Sequence, residues 1–216
     1  ASASFTRVRH GDYAHLDVTG NSQTVALDLS QPLAVDPLGS LDFLGSVSMV
    51  RSRNDISDGK FSDKTLFRAQ GGLAFSHRTG DQVIDLTGLA KRIKDHDRLF
   101  DENRHYTILE GIVDFYRWLD PNSAFRVRWE GQVAEVNNIA GAELFELGGP
   151  DTVRGYRPGA IAGDDGYYLN LEAHLFPPDT EALDVFAFFD YGHVYSASPS
   201  QVVGAFGAGL TWTLFE

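Results

Sequence analysis

The chain has 216 residues, of which 18 are Lys or Arg and 30 are Asp or Glu, so its formal charge at pH 7 is −12. This acidic balance argues against a nucleic-acid partner, which would need a basic face, and the 43% of hydrophobic residues exclude a disordered chain. Because cysteine is absent, a disulfide framework, a thiolate zinc site and a cysteine nucleophile are also excluded.

The apolar residues do not form a run long enough for a transmembrane helix, which needs about 18–20 of them. The densest cluster is VFAFF at residues 185–189. A transmembrane strand needs only about 9–11 residues with apolar side chains at alternate positions, so a membrane barrel is compatible with this composition. The first residues, ASAS, lack the basic and apolar regions of a signal peptide. We therefore expect a mature, truncated or engineered form.

A period of two dominates the chain, which is the pattern of strands with one apolar and one polar face. Several of the predicted strands are longer than the roughly 5–6 residues that are usual in soluble sheets. The ten predicted strands cover residues 5–18, 22–34, 41–53, 64–78, 81–94, 104–119, 123–136, 167–176, 183–195 and 202–215.

The connections alternate in length along the chain. Short turns are predicted at residues 36–40, 79–80, 120–122 and 177–182, and longer polar loops at 54–63, 95–103 and 137–166. Short turns at one end and long loops at the other are typical of an outer-membrane barrel. A predicted turn at residues 19–22 fits this scheme less well, because its position puts a short connection among the long loops.

The seventh and eighth strands separate their faces most clearly. One face carries Phe125, Val127 and Trp129 in the seventh strand and Leu169 and Leu171 in the eighth. The opposite face carries the polar residues that we predict to line a polar interior: Arg126, Arg128, Glu130 and Glu172. A soluble β-sandwich, with the apolar faces stacked in a core, is the alternative. The mixed charges and large aromatic residues on the polar face favour the membrane barrel.

The loop before the eighth strand is rich in glycine. Residues 143–172 read ELFELGGPDTVRGYRPGAIAGDDGYYLNLE and contain six glycines, which allow a compact fold. Arg154 at its centre cannot lose its charge and needs a carboxylate if the loop folds into an interior. Asp190, in the strand VFAFFDYGHVY, lies on the same predicted face as Phe188 and would point inward, where it also needs a partner. An Arg154–Asp190 pair satisfies both groups.

These segments resemble the TpsB-type two-partner secretion transporters of Gram-negative outer membranes, which are relatives of the BamA superfamily. VRGY (Val153, Arg154, Gly155, Tyr156), GDxG at residues 163–166 and FxDxG at residues 188–192 occur in the expected order and spacing, and Gly131-Gln132 also resembles the family. The resemblance is strong over residues 125–195 and compatible elsewhere.

The resemblance implies an all-β fold, an antiparallel transmembrane β-barrel of sixteen strands with VRGY at the tip of an extracellular loop that folds inward. Arg154 takes the place of the loop-tip arginine, and Asp190, followed by Gly192, that of its partner on the barrel wall. Residues predicted to support the loop are Gly148, Gly149, Asp164 and Gly166. The ten predicted strands then correspond to strands five to fourteen. We expect residues 1–216 to be part of one barrel domain, without the periplasmic POTRA domains and plug helix of the family.

The function implied by the resemblance is export of a large β-helical exoprotein, an adhesin or haemolysin, from the outer membrane. The implied partners are this TpsA-type protein and membrane lipid, with no nucleic acid, cofactor, metal or enzymatic activity, and a monomeric barrel. A passive pore, a barrel-assembly insertase and an outer-membrane hydrolase are alternatives, although the GxSxG motif of a hydrolase is absent. No metal-ligand spacing occurs among the histidines. Asp164 is expected to cap loop backbone or pair with Arg157 rather than bind Ca²⁺.

Overall fold

The computed structural model describes residues 2–7, 18–56, 59–178, 183–195 and 199–213. These residues are almost all in β-strands, apart from turns, loops and one 3₁₀ turn at Gly141–Glu143. In the described part of the chain, no helix has the length and apolar character needed to cross a membrane. The strands are β1 (Ser2–Arg7), β2 (Val18–Asp36), β3 (Gly39–Ile56), β4 (Gly59–Arg78), β5 (Gln82–Asp97), β6 (Glu102–Asp120), β7 (Ser123–Ala134), β8 (Phe145–Leu147), β9 (Ile161–Gly163), β10 (Asp165–Leu175), β11 (Leu183–Tyr195) and β12 (Gln201–Trp212).

Ten of these strands form one sheet in the order β1-β2-β3-β4-β5-β6-β7-β10-β11-β12, and β8 and β9 form a separate two-stranded sheet. Antiparallel pairing joins β7 to β10, β10 to β11 and β11 to β12. The predicted all-β antiparallel fold is therefore confirmed. Nine of the ten strands that the structure describes in this sheet have at least 11 residues, and β1 has 6. In the family barrel the sheet would continue beyond β1 and β12, and this stays a prediction.

Three predicted connections differ in the structure. Residues 19–22 are not a turn, because they lie in β2 and pair with β1, with Arg7 opposite Thr19 and Phe5 opposite Asn21. Residues 8–17, which were predicted as strand, lie outside the described residues. The predicted loops at 54–63 and 95–103 are mostly strand, since β3 continues to Ile56 and β5 to Asp97. Polar residues in these hairpin ends resemble a loop in sequence, but cross-strand hydrogen bonds satisfy their backbone.

The chain divides into two compact units. The first comprises Ala1–Gln31, Leu44–Gly71 and Ala90–Ile108, and within it Ile93, Tyr106 and Ile108 are fully buried. The second comprises Pro32–Phe43, Gly72–Leu89 and Leu109–Glu216, and it contains the whole glycine-rich loop with the strands that it contacts. The prediction of one barrel domain stays a prediction.

In each unit, large apolar side chains lie exposed along one face of its strands, which we call the apolar face of that unit. In β2 this face includes Leu27, which is 71% exposed, and in β12 it includes Phe206, which is 87% exposed. A β-sandwich would bury such side chains against a second sheet. Their exposure contradicts the sandwich interpretation and is the arrangement expected where the surrounding solvent is lipid.

Candidate functional site in the glycine-rich loop

The segment between β7 and β10 folds into a hairpin. Its base is the β8–β9 pair, with Phe145 opposite Gly163 and Leu147 opposite Ile161. Towards the tip, Gly149 N donates to the carbonyl of Tyr156 at 3.0 Å. Gly148 has a φ of +114°, and a Cβ there would lie 2.1 Å from the Arg157 carbonyl oxygen, so no other residue fits. The hairpin presents VRGY at the turn between its two arms.

The hairpin packs on the face of β10, β11 and β12 that lies opposite the apolar face, which we call the inner face. Leu147 and Val153 of the loop are fully buried there. They belong to an apolar cluster with the wall residues Tyr168, Val194 and Val203 and with Phe145. The sequence predicted a polar interior and did not predict this apolar seat. The alternation places the three wall residues inward, but only the structure brings the loop onto them.

Arg154 binds Asp190 through a fork of two hydrogen bonds. Its Nε donates to Asp190 Oδ2 at 2.7 Å, and its Nη2 donates to Oδ1 at 2.6 Å. The backbone N–H of Arg154 donates to Oδ2 as well, at 3.0 Å. The contact therefore fixes both the side chain and the backbone of the loop tip. This is the bidentate geometry that a planar guanidinium favours.

Asp190 is fully buried and its charge is well compensated. Besides the three bonds from Arg154, Oδ1 accepts a hydrogen bond from Asn170 Nδ2 at 2.8 Å. Asn170 lies directly opposite Asp190 in the pairing of β10 with β11, and its Nδ2 also donates to the Thr152 carbonyl. The hydrogen bonds with Asp190 raise the pKa of the Arg154 guanidinium above its ordinary value, so this group stays charged. Asn170 was not predicted as a site residue.

Two further groups hold the Arg154 side chain, which is only 20% exposed. Its Nη1 donates to Glu172 Oε1 at 2.5 Å. Its guanidinium carbon lies 3.7 Å from the centroid of the Phe188 ring, a cation–π contact. Glu172 was predicted as an inward polar residue but not as a partner of Arg154. Glu172 and Phe188 are paired in the β10–β11 register, so they flank the arginine from adjacent strands.

The FxDxG motif places three residues with different roles on one face of β11, because residues two apart in a strand point to the same side. Phe188 contacts the cation and Asp190 binds it. Gly192 makes room for the loop: a Cβ there would lie 2.6 Å from Leu147 Cδ1 and 3.0 Å from Val153 Cγ2. The remaining VRGY residues lie beside this seat. Gly155 has a φ of +85°, and Tyr156 donates its hydroxyl to the Gly204 carbonyl at 3.2 Å.

The base of the loop is tied to the wall by polar groups. Gln132 Nε2 donates to the carbonyls of Glu143 and Asp164, both at 2.9 Å. The Asp164 carboxylate caps loop backbone, accepting from the N–H groups of Asn138 and Ile139 at 2.9 Å each. Gly166 lies beneath Phe145, whose Cδ1 would be 2.5 Å from a Cβ at that position.

The other predicted inward residues bind one another. Arg126 forms a bidentate pair with Asp114, and Arg128 Nε lies 3.6 Å from the same carboxylate. Glu130 accepts a hydrogen bond from the Tyr168 hydroxyl at 2.9 Å. The structure thus places all four predicted inward residues, including Glu172, on the inner face, but each is already engaged in a pair.

The chain is similar to known proteins over most of its length. Residues 1–214 match the family described as haemolysin secretion/activation protein ShlB/FhaC/HecB. A heme/hemopexin transporter protein, HuxB, from Haemophilus influenzae (strain 86-028NP) is 26% identical over 126 residues, which are 53% of this chain and 22% of that protein.

The structure resembles two CdiB proteins. CdiB from Acinetobacter baumannii matches 98% of this chain and 40% of that chain, with a TM-score of 0.77 and 19% identity. CdiB from Escherichia coli matches 96% and 42%, with a TM-score of 0.78 and 20% identity. These likenesses establish the fold, and the chain spans less than half the length of each of these proteins.

Proposed function

We propose that this chain, which belongs to the haemolysin secretion/activation family ShlB/FhaC/HecB, is part of an outer-membrane β-barrel that exports a partner protein by two-partner secretion. The partner would be a large β-helical exoprotein, an adhesin or haemolysin. The proposed activity requires no covalent chemistry, cofactor or metal. In this proposal residues 1–216 are part of one barrel domain, which acts as a monomer.

The observation that carries the proposal is the attachment of the loop tip to the inner face by Arg154. A passive pore has no need for a buried cation that holds a hairpin across its interior. A translocator needs such a hairpin, because the pathway must be closed at rest and must open for a polypeptide. Breaking a buried ion pair by removing one partner typically costs about 3–5 kcal/mol, so the loop is stable when no substrate is present.

Opening requires Arg154 to leave Asp190 and Glu172. The exported chain would enter unfolded from the periplasm and displace the hairpin. Its own folding outside the cell would supply the driving force, because the outer membrane has no ATP. A charged arginine that leaves Asp190 needs another acceptor, and acidic or carbonyl groups of the passing chain could provide one.

The inner face below the loop tip supports this proposal. An aromatic series on this face begins at Trp118, whose ring centroid lies 4.8 Å from that of Phe176. It continues through His174 to Phe186, at 6.1 and 5.4 Å, and on to Phe188, which contacts Arg154. Aromatic rings contact many kinds of side chain with little specificity. The series therefore offers exchangeable contacts to an extended polypeptide on its way to the loop.

Secretion of the partner by an Arg154→Ala variant tests the function. We expect secretion to fall strongly while the barrel still inserts, measured as exoprotein in the culture medium and as heat-dependent electrophoretic mobility of the barrel. Arg157→Ala is the matched control, because this arginine lies in the same loop and is exposed. Full secretion by Arg154→Ala would contradict the assigned role. Absence of any secreted partner with the unmodified protein would contradict the proposed function itself.

A further inference from the structure

A shallow depression on the apolar face of the first unit is lined by groups that can donate hydrogen bonds. Its volume is about 560 Å³. It lies where β4, β5 and β6 approach the turn at residues 98–101. The lining residues are Thr65, Phe67, Lys94, His96, Arg98 and Asn103.

Successive residues of β5 point to opposite faces of the sheet, and this separates the positive from the negative side chains near the depression. Lys94 lies on the side of the depression, whereas Asp95 and Asp97 point to the opposite face and approach Lys64 Nζ at 4.0 and 3.7 Å. Among the described residues, no carboxylate forms an ion pair with Lys94 or Arg98. In a chain with a formal charge of −12, this depression is therefore a local cationic site.

Two polar atoms of the lining residues are buried, which leaves the charged side chains as the donors open to a ligand. Thr65 Oγ1 and His96 Nδ1 are buried and make no hydrogen bond within the described part of the chain. Because these two atoms have almost no accessible surface, a ligand in the depression meets the exposed side chains of Lys94 and Arg98 instead, and these charged donors favour a ligand with acceptor oxygens. A phosphate group matches this set, because it carries negative charge and several acceptor oxygens.

The surface next to the depression is apolar. Phe67, which lines it, is 46% exposed, and the same face of the unit continues through Val47 and Met49 of β3 and Leu27 of β2, all exposed. A ligand that occupies the depression would therefore have its anionic group at the cations and any attached hydrocarbon over this apolar surface. A lipid with a phosphorylated headgroup has this shape, and free phosphate does not use the apolar part.

We propose that the depression binds the phosphate group of a membrane lipid, a phosphorylated glycolipid of the outer leaflet, through Lys94 and Arg98. The acyl chains lie along Phe67 and the neighbouring apolar residues. The inference goes beyond protein export and rests only on the membrane location included in the proposed function. Because charged donors contact the phosphate, the site contributes selectivity for phosphorylated lipid as well as affinity.

Binding of lipopolysaccharide to the full-length protein in detergent tests the site. We expect the double variant Lys94→Gln/Arg98→Gln to bind about tenfold more weakly, since two charge-assisted hydrogen bonds are lost. Lys91→Gln is the matched control, because it removes the same charge from the same strand but on the opposite face. It should bind like the unmodified protein. Enzymatically dephosphorylated lipopolysaccharide should bind the unmodified protein as weakly as the intact lipid binds the double variant.

Three outcomes would overturn the proposal. These are equal affinity of the double variant and the unmodified protein, equal affinity for the dephosphorylated lipid, and displacement of the lipid by millimolar inorganic phosphate, which would make this a free-phosphate site. If the double variant fails to fold, the single variants Lys94→Gln and Arg98→Gln should each still weaken binding severalfold, and unchanged binding by both would count against the site. Lipid binding is measured without the exoprotein. A negative secretion assay would therefore contradict the proposed function without deciding whether the lipid site exists.

Discussion

Arg154 is held by chemistry that no other residue supplies. It uses its backbone N–H, Nε and Nη2 on Asp190 and its Nη1 on Glu172, and its planar face lies on Phe188. Lysine could offer one of the two carboxylates a point charge, but it has neither the fork nor the plane. The fully buried Asp190 in turn depends on these donors, because an unpaired carboxylate there would be strongly destabilising.

A double-mutant cycle with Arg154→Ala and Asp190→Ala measures this dependence. We expect a coupling energy of about 1–3 kcal/mol in the free energy of unfolding, because each single variant already loses the shared interaction. Denaturant unfolding of the protein in lipid vesicles provides the measurement. Pairing Arg157→Ala with Asp190→Ala is the control and should give additive effects. Additivity in the first cycle would mean that the two groups do not stabilise each other.

At the scale of elements, the hairpin packs closely on β11 because Gly192 has no side chain. Gly192 lies under Leu147 and Val153, and the cluster formed by these residues is the apolar part of the loop seat. The hydrogen bonds of Arg154 hold the tip of the loop, whereas this cluster holds its body. The two are adjacent on the wall, since Asp190 and Gly192 are two residues apart on one face.

Gly192→Ala should therefore loosen the hairpin without touching the ion pair directly. A Cβ at 2.6 Å from Leu147 Cδ1 forces the loop to shift, at a cost of about 1–3 kcal/mol. Limited proteolysis of the loop in intact cells should become faster. Gly204→Ala in β12 is the matched control, because the nearest atom to its Cβ would be at 3.5 Å, an ordinary contact. Equal protease sensitivity of both variants would contradict the packing role of Gly192.

At the scale of the whole molecule, the alternation of apolar and polar residues was enough to predict the sheet. The two faces of each strand meet different environments, so apolar and polar residues alternate along the sequence. The contact of Arg154 with Asp190 could also be predicted, because each of these charges needs a partner of the opposite sign. The positions of Glu172 and Phe188 beside Arg154 could not be predicted from the sequence, because they depend on the register of β10 against β11 and on where the hairpin ends. The turn predicted at residues 19–22 failed because polar residues at strand ends resemble turns.

The exposed apolar face gives the last prediction. Phe206 is 87% exposed in the middle of β12, so in a membrane barrel it contacts lipid. Phe206→Arg should destabilise the protein by about 2–4 kcal/mol near the bilayer midplane, because a guanidinium there loses its hydration. Folding into lipid vesicles, followed by denaturant titration, measures the effect. Gln201→Arg is the control, since this exposed residue begins the same strand and a charge there can reach water. If Phe206→Arg were as stable as the control, the apolar face would not be in contact with lipid, and the membrane assignment would fail with it.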